Sequence, residues 1–462
     1  MRNSYFDLID QTFYWPQNEF KTENHQLLWH NLPVMHWVEK YGTPLKISYL
    51  PKISERIHYA RTLFQEAMQK VNYQGRYHYC YCTKSSHFSF VLEEALGNGI
   101  HLETSSGYDL DLAEALYHKG WITKEQYIVC NGFKRPYYIQ KIADWINRGF
   151  ANVFPVFDNV QEVNQLVPLL QQPARVGIRI AAEEEPKFEF YTSRLGVGYQ
   201  DVLPFYRDKI RGEPLLELKM LHFFINTGIQ DTAYYWSELL KCVQVYIQLK
   251  KECSSLNSLN IGGGFPVKNT LHFTYDYPYM AQEIIAQVKQ LCNEAGVAEP
   301  DIFTEFGSFT VGESGATIFS VLDQKKQNDR EYWNMIDGSF MTTLPDAWAI
   351  NKRFIMLAIN RWEQPYQRIL LGGLTCDSDD YYNSEQHANA VYLPRFDPQK
   401  TQYVGFFNTG AYQDSLAGYG GIQHCLIPAP RHLVLRQQGD AIHEELFAPE
   451  QSAQGMLRIL GY

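Results

Sequence analysis

Between Arg76 and about Ser308 the chain alternates two rhythms: a short apolar run ending in polar or glycine residues, then a longer segment whose apolar positions recur at helical spacing. The unit recurs eight times, with the runs RYHYCYC (76–82), IHLET (100–104), YIVCN (127–131), VFPVF (153–157), RVGIRIA (175–181), LKMLHFFI (218–225), LNIGGG (259–264) and DIFTEFG (301–307). Among the intervening segments, PYYIQKIADWINRGF carries Ile139, Ile142 and Ile146 along one stripe, and YMAQEIIAQVKQLCNEAG ends in glycine. Alternating strands and helices demand a parallel sheet, and eight such units close most naturally into an α/β fold of the (β/α)8 barrel type; an open doubly wound sheet is the competing arrangement.

After about residue 312 the helical period fades. ATIFSVL, FIMLAI, RILLGGL, AVYLPRF, YVGFFN and HLVLRQ read as strands separated by turns, which predicts a mainly β C-terminal domain. Residues 1–45 include HNLPVMHWVEKYGTPL, a short helical pattern ending near a glycine and a proline, and this segment can join either domain. The expected division is therefore 1–45, a barrel over 46–312, and a β domain over 313–462.

Composition supports this picture and removes some alternatives. A chain of 462 residues, 45% hydrophobic and 20% charged, has the apolar content for more than one core. With 41 Lys and Arg against 51 Asp and Glu the net charge is -10, so there is no overall basic field to draw in a nucleic acid. No apolar stretch approaches the roughly 20 residues that span a bilayer, and MRNSYFDLIDQTF has neither a basic end nor an apolar run, so a cytoplasmic protein is expected. The eight cysteines are too sparse for a disulfide scaffold and show no C-x-x-C spacing, so no metal site is expected.

Candidate chemistry gathers at the ends of the strand runs, the edge where barrel sites are built. Lys84 comes two residues after Cys82; period-two counting puts His78, Cys80, Cys82 and Lys84 on one face, and a lysine in such apolar surroundings is a candidate for a lowered pKa and covalent catalysis. A solvated strand-end lysine is the plain alternative. Gly262, Gly263 and Gly264 form either a tight turn or a backbone cradle for a phosphate. Glu305, near the end of the eighth run, needs a partner if buried, either a charge on a bound cofactor or a barrel cation such as Arg179. His222, Phe223 and Phe224 fall on the sixth run, where histidine is more often a hydrogen-bonded core residue than a ligand. Cys376-Asp377-Ser378-Asp379-Asp380 puts a thiol beside three acids; the thiol suits a proton donor and the acids suit a cationic substrate tail.

Taken together, YHYCYCTKSSHF, HLETSS, CNGFK, NIGGGFP, TLPDAW, LGGLTCDSDD and FNTGAYQ resemble the group III pyridoxal-phosphate decarboxylases of the alanine-racemase type of barrel plus β domain. TLPDAW and TCDSDD look most like the biosynthetic arginine decarboxylases of that group. The resemblance implies pyridoxal 5'-phosphate as cofactor, with Mg2+ allowed beside it, and a homodimer or higher homo-oligomer whose Cys-Asp loop reaches the neighbouring subunit's site. By the same resemblance Lys84 would hold the cofactor covalently, Glu305 would pair with its ring nitrogen, and Gly262, Gly263, Gly264 and Tyr412 would take its phosphate. Glu103 and Arg179 would lie close by. Cys376 would deliver a proton, and Asp377, with Asp379 and Asp346, would receive the cationic end of a basic amino acid.

Departures from the family pattern accompany these matches. The sixth-strand motif reads Leu221-His222-Phe223-Phe224-Ile225-Asn226-Thr227, so Phe224 stands where the family stacks an imidazole on the cofactor. Glu305-Phe306-Gly307-Ser308 lacks the family's phosphate-binding arginine, leaving Thr227, Ser308 and the glycine amides to hold the phosphate with neutral hydrogen bonds. The chain also has no room for the inserted helical region of the long bacterial arginine decarboxylases. The expected activity is decarboxylation of L-arginine to agmatine in polyamine synthesis. The competing expectations are another basic amino acid (ornithine, lysine, diaminopimelate or carboxynorspermidine) and a cofactor-binding protein without turnover.

Overall fold

The computed structural model describes residues 17–183, 193–329, 331–382 and 391–462. Its contacts divide the chain into two units: a barrel unit of Ile53–Pro266 with Tyr275–Thr310, and a second unit comprising the chain up to Lys52, Val267–Thr274 and Val311–Tyr462.

The barrel unit contains the eight predicted strands: β1 Tyr77–Cys82, β2 His101–Thr104, β3 Ile128–Cys130, β4 Val153–Phe157, β5 Ala174–Ala181, β6 Leu216–His222, β7 Ser258–Asn260 and β8 Asp301–Phe306. Each pairs in parallel with its neighbours in chain order, and β8 closes the circle on β1 with Ile302 opposite Tyr77 and Phe306 opposite Tyr81. A short strand, Val197–Gly198, lies outside the circle against β5. The closed ring rules out the open sheet. Cys80, Val129, Phe154, Val156, Met220 and Phe303 fill the interior, while on β1 the alternate residue Tyr77 stacks on Phe64 outside it.

The surrounding helices begin and end where the sequence supplies chemical punctuation. Pro136–Asn147 starts with proline at its first turn, buries Tyr138, Ile139, Ile142 and Ile146, and is followed by Gly149 at φ +88°. Tyr277–Glu294 is capped by Asp276, whose carboxylate accepts the Tyr279 amide at 2.9 Å, and is followed by Gly296 at φ +66°.

The second unit is built on a ten-stranded sheet. All six strand-like runs become strands: Gly315–Lys326, Ile355–Ala358, Tyr366–Gly372, Val391–Pro394, Gln402–Phe407 and Arg431–Gln438. The sheet also takes in Leu45–Tyr49, which pairs antiparallel with Gly315–Ile318 and parallel with Arg431–Leu435. The predicted helix forms as Val34–Tyr41, and Phe20, Trp29, Val34 and Val38 share a core with Ile47, Phe319 and Phe406. The N-terminal segment thus belongs with the β unit. The expected barrel boundary at residue 46 is corrected to 53, because a strand hydrogen-bonded on both edges cannot be divided from its sheet. The second boundary moves from 312 to 310, and 267–274 also leaves the barrel.

Candidate active site

The first barrel strand ends at Cys82 and the chain turns at once through Thr83–Ser85 in a single 3-10 turn that carries Lys84. Thr83 Oγ1 donates to the Glu103 carbonyl at 3.1 Å, and the Ser86 amide closes the turn on the Thr83 carbonyl. Lys84 therefore stands just beyond β1 rather than on it, partly exposed, with Nζ 2.5 Å from Glu103 Oε2. Burial pushes its ammonium down, but Cys82, Glu103 and Glu305 push it up harder, so its pKa stands well above that of a free lysine. The expected lowering is corrected: neighbouring carboxylates, not apolar walls, set the charge of this amine.

Glu103 lies on β2 with no exposure, and Asn131, the first residue past β3, ties it to the opposite side of the barrel. The Asn131 amide nitrogen donates to Glu103 Oε1 at 3.2 Å and to Glu305 Oε1 at 2.9 Å. Glu305, 6% exposed on β8, also accepts from Asn260 Nδ2 at 2.6 Å, and its other oxygen meets His222 Nε2 at 3.1 Å. Burial would raise the Glu305 pKa, yet the His222 imidazole, the Lys84 ammonium and the Asn131 amide outweigh it and hold the carboxyl well below the usual carboxylate range. Its partners are His222, Asn131 and Asn260. Arg179, the barrel cation considered as an alternative, has a buried Nε with no hydrogen-bond partner among the described residues and its guanidinium 5.9 Å from the Phe224 ring centre.

Asn260 ends β7 and bonds in a second direction as well. Its Oδ1 accepts the Gly262 amide at 2.9 Å, which links the glycine turn to the Glu305 carboxylate. The three glycines follow the strand rather than close it. Gly262 and Gly264 adopt φ +67° and +108°, and a Cβ at Gly263 would lie 1.9 Å from the Glu305 carbonyl oxygen. A Cβ at Gly264 would meet the Gly228 Cα at 2.5 Å, so Thr227 borders the turn, and one at Gly307 would meet Ser85 Oγ at 2.0 Å, which sets the short helix Ser308–Val311 against the lysine turn. The loops after β1, β6, β7 and β8 converge there with bare backbone. The sixth strand stops at His222, so Phe223 and Phe224 lie on the following loop rather than on the strand.

The remaining candidates belong to the β unit. Tyr412 caps Gln413–Ala417 at φ +67°. Asp346, in Pro345–Ile350, is buried, and its Oδ2 accepts from Lys352 Nζ at 2.9 Å and from Gln413 Nε2 at 2.8 Å. Asp380 is buried and accepts the amides of Phe340 and Thr375, so it shapes the loop. Asp377 accepts the amide of the exposed Asp379 at 2.9 Å. Cys376 is exposed, with its Sγ 3.4 Å from that of Cys425.

Reasoning from sequence missed Asn131 and Asn260, and it read His222 as a core residue. The available signal was a polar residue closing the apolar run YIVCN; in LNIGGG and LKMLHFFI the polar residue sits inside a run that continues past the strand's end, which hid it. The pattern marks a strand leaving the core at the site edge.

A closed barrel whose strand ends bring a lysine, two buried carboxylates and a glycine turn together is an enzyme scaffold with an amine at its reacting edge. Residues 53–312 match the family described as "Pyridoxal-dependent decarboxylase, pyridoxal binding domain", and the chain belongs to the pyridoxal-dependent decarboxylases. A biosynthetic arginine decarboxylase of Prochlorococcus marinus is 22% identical over 91% of this chain and 83% of its own length. Among solved structures, the biosynthetic arginine decarboxylase of Campylobacter jejuni superposes with TM-score 0.83 at 18% identity, covering 98% of this chain and 91% of that one. A diaminopimelate decarboxylase of Helicobacter pylori, complexed with L-lysine, gives TM-score 0.75 at 19% identity, covering 92% of this chain and 98% of that one. No described helix is long and apolar enough to cross a membrane.

Proposed function

We propose that this decarboxylase acts on L-arginine, releasing CO2 and agmatine for polyamine synthesis, as a cytoplasmic homodimer. The observation that carries the reading is the buried Glu305 carboxylate, kept anionic by His222 and joined through Asn131 to the Glu103–Lys84 pair. The choice of arginine rests on relatives named as arginine decarboxylases that match over most of the chain, and on TLPDAW and TCDSDD.

The residues present fit pyridoxal 5'-phosphate. The buried Arg179 Nε and Ser85 Oγ have no hydrogen-bond partner among the described residues and are left for a polar ligand. Lys84 would hold the aldehyde carbon, Glu305 the ring nitrogen, and Gly262, Gly263, Gly264, Thr227, Ser308 and Tyr412 the phosphate, with Phe224 against the ring. When bound, the cofactor supplies an electron sink for the pair left behind by the departing carboxylate.

Other steps fall to the chain itself. Glu305 Oε1 and Oε2 hold a negative charge that favours a protonated partner, and three donors fix their direction. Glu103 Oε2 is the atom in reach of a proton on Lys84 Nζ, which must be shed before that amine can act as a nucleophile. Cys376 Sγ would carry the proton that replaces CO2. Asp377 and Asp379 would draw in the guanidinium; for Asp346 to join them it would have to release Lys352 and Gln413.

Purified protein with added pyridoxal 5'-phosphate, given carboxyl-labelled L-arginine, is expected to release labelled CO2 and yield agmatine by mass, and Cys376→Ala to lose turnover while keeping the cofactor's absorbance. CO2 release from ornithine, lysine or diaminopimelate but not from arginine would establish the second reading, a decarboxylase of another basic amino acid. A diaminopimelate decarboxylase complexed with L-lysine shares this fold, which is why those substrates are included in the test.

A further inference from the structure

The thiol that the proposed chemistry uses is not alone. Cys376 and Cys425 are 49 positions apart in the chain, yet their sulfurs approach to 3.4 Å and the Cys376 amide points at Cys425 Sγ at 3.5 Å. Ligand atoms of Cys376, His424 and Cys425 all lie within 4.8 Å of one another, and all three residues are exposed. The Asp377 carboxylate stands 3.8 Å from His424 Nε2. The other six cysteines of the chain are buried.

We propose that Cys376, His424 and Cys425 bind one thiophilic divalent cation of the zinc class, with solvent or the Asp377 carboxylate in the fourth position. Two thiolates and an imidazole form a donor set that selects a soft or borderline ion over Mg2+. The spacing agrees: two sulfurs each about 2.3 Å from a tetrahedral cation stand about 3.8 Å apart, whereas a disulfide requires about 2.0 Å. The backbone supports the arrangement as well. Cys425 and Leu426 adopt φ +53° and +54°, a left-handed conformation that such side chains adopt at a cost and that turns Cys425 toward Cys376. Binding breaks two S–H bonds and forms two metal–sulfur bonds; both protons pass to solvent and the two thiolates neutralise the cation's charge.

The cation would remove from Cys376 the proton that the proposed decarboxylation needs, so occupancy would switch turnover off. That consequence rests on the functional reading above; the site itself does not.

Reduced, untagged full-length protein titrated with Co2+ is expected to take up one ion per chain, with a thiolate-to-metal charge-transfer band and the visible bands of a tetrahedral site, both displaced by Zn2+. Cys376→Ser and Cys425→Ser should abolish the charge-transfer band, and His424→Ala should weaken binding by about tenfold or more. No band at one equivalent, a band that survives Cys425→Ser, or a pair of thiols already joined before metal is added would overturn the assignment. Zn2+ inhibition that a chelator reverses would support the switch, whereas a cobalt band without inhibition would overturn the switch and leave the cation site standing.

Discussion

Replacing His222 with leucine removes the group that does most to keep Glu305 ionised while filling similar space in the barrel. His222 is 1% exposed and Glu305 6%, so water cannot substitute for the lost 3.1 Å contact to Oε2. Taking one partner away from a buried charge costs about 3–5 kcal/mol. Here the lower end applies, because Asn131 and Asn260 continue to serve Oε1. A loss of about 3 kcal/mol corresponds to a barrel melting about 6–12 °C lower, at about 2–4 °C per kcal/mol for a unit of this size. The effect depends on pH in a definite direction. The folded carboxyl titrates below its unfolded value of about 4.3, so its stabilisation is complete above that pH and is lost as pH falls through the folded value. In the variant, burial is less opposed and the carboxyl pKa moves up. The gap between wild type and His222→Leu should therefore be widest at neutral pH and narrow as the carboxyl is protonated, when no buried anion is left for position 222 to serve. Thermal unfolding followed by near-ultraviolet circular dichroism from neutral to acidic pH measures this. Equal melting temperatures at neutral pH, or a gap that widens in acid, would refute the view that His222 holds Glu305 as an anion.

Further outcomes follow from the same geometry. Lys84→Ala should abolish the absorbance of a covalently held pyridoxal and all turnover, and should lower the melting temperature too, since it leaves the buried Glu103 carboxylate without its ammonium; retained absorbance would move the attachment elsewhere. Gly263→Ala should displace β8 at Glu305, because its Cβ would lie 1.9 Å from a backbone oxygen, and should weaken cofactor binding in an absorbance titration. Asp346→Ala is expected to destabilise the β unit by about 1–3 kcal/mol by freeing Lys352 and Gln413, as read by urea unfolding, whereas a rise in KM at unchanged stability would instead give that carboxylate to the substrate.

The barrel was legible because each of its strands is a compact apolar run bounded by polar or glycine residues, and burial on both faces of a parallel strand forces that pattern. Leu45–Tyr49 was not assigned, since LKISY has the same composition whether it opens a barrel or inserts into a distant sheet, and its partners at 315 and 431 lie far along the chain. Tyr332–Ile336 was missed too, because YWNMI has no clean alternation. At the site, Lys84, Glu305 and the glycines could be picked out by residue type and position, and Glu103 only through the family resemblance. Their interactions could not, because pairing Glu305 with His222 rather than Arg179 depends on which strand-end side chains turn inward across the barrel. The charge state of Lys84 depended on those same contacts.

Leu45–Tyr49 lies between a strand that starts at Gly315 and one that starts at Arg431. During synthesis it emerges early and then waits for both. At about 5–20 residues per second, the roughly 390 residues from its first position to its last partner take about 20–80 s to leave the ribosome. The barrel can close long before then, while this segment has two open edges of the kind that pair indiscriminately with other chains. A transcript that stops short of residue 431 would leave one of those edges permanently bare, so nascent or truncated chains are the form of this protein in most need of a chaperone.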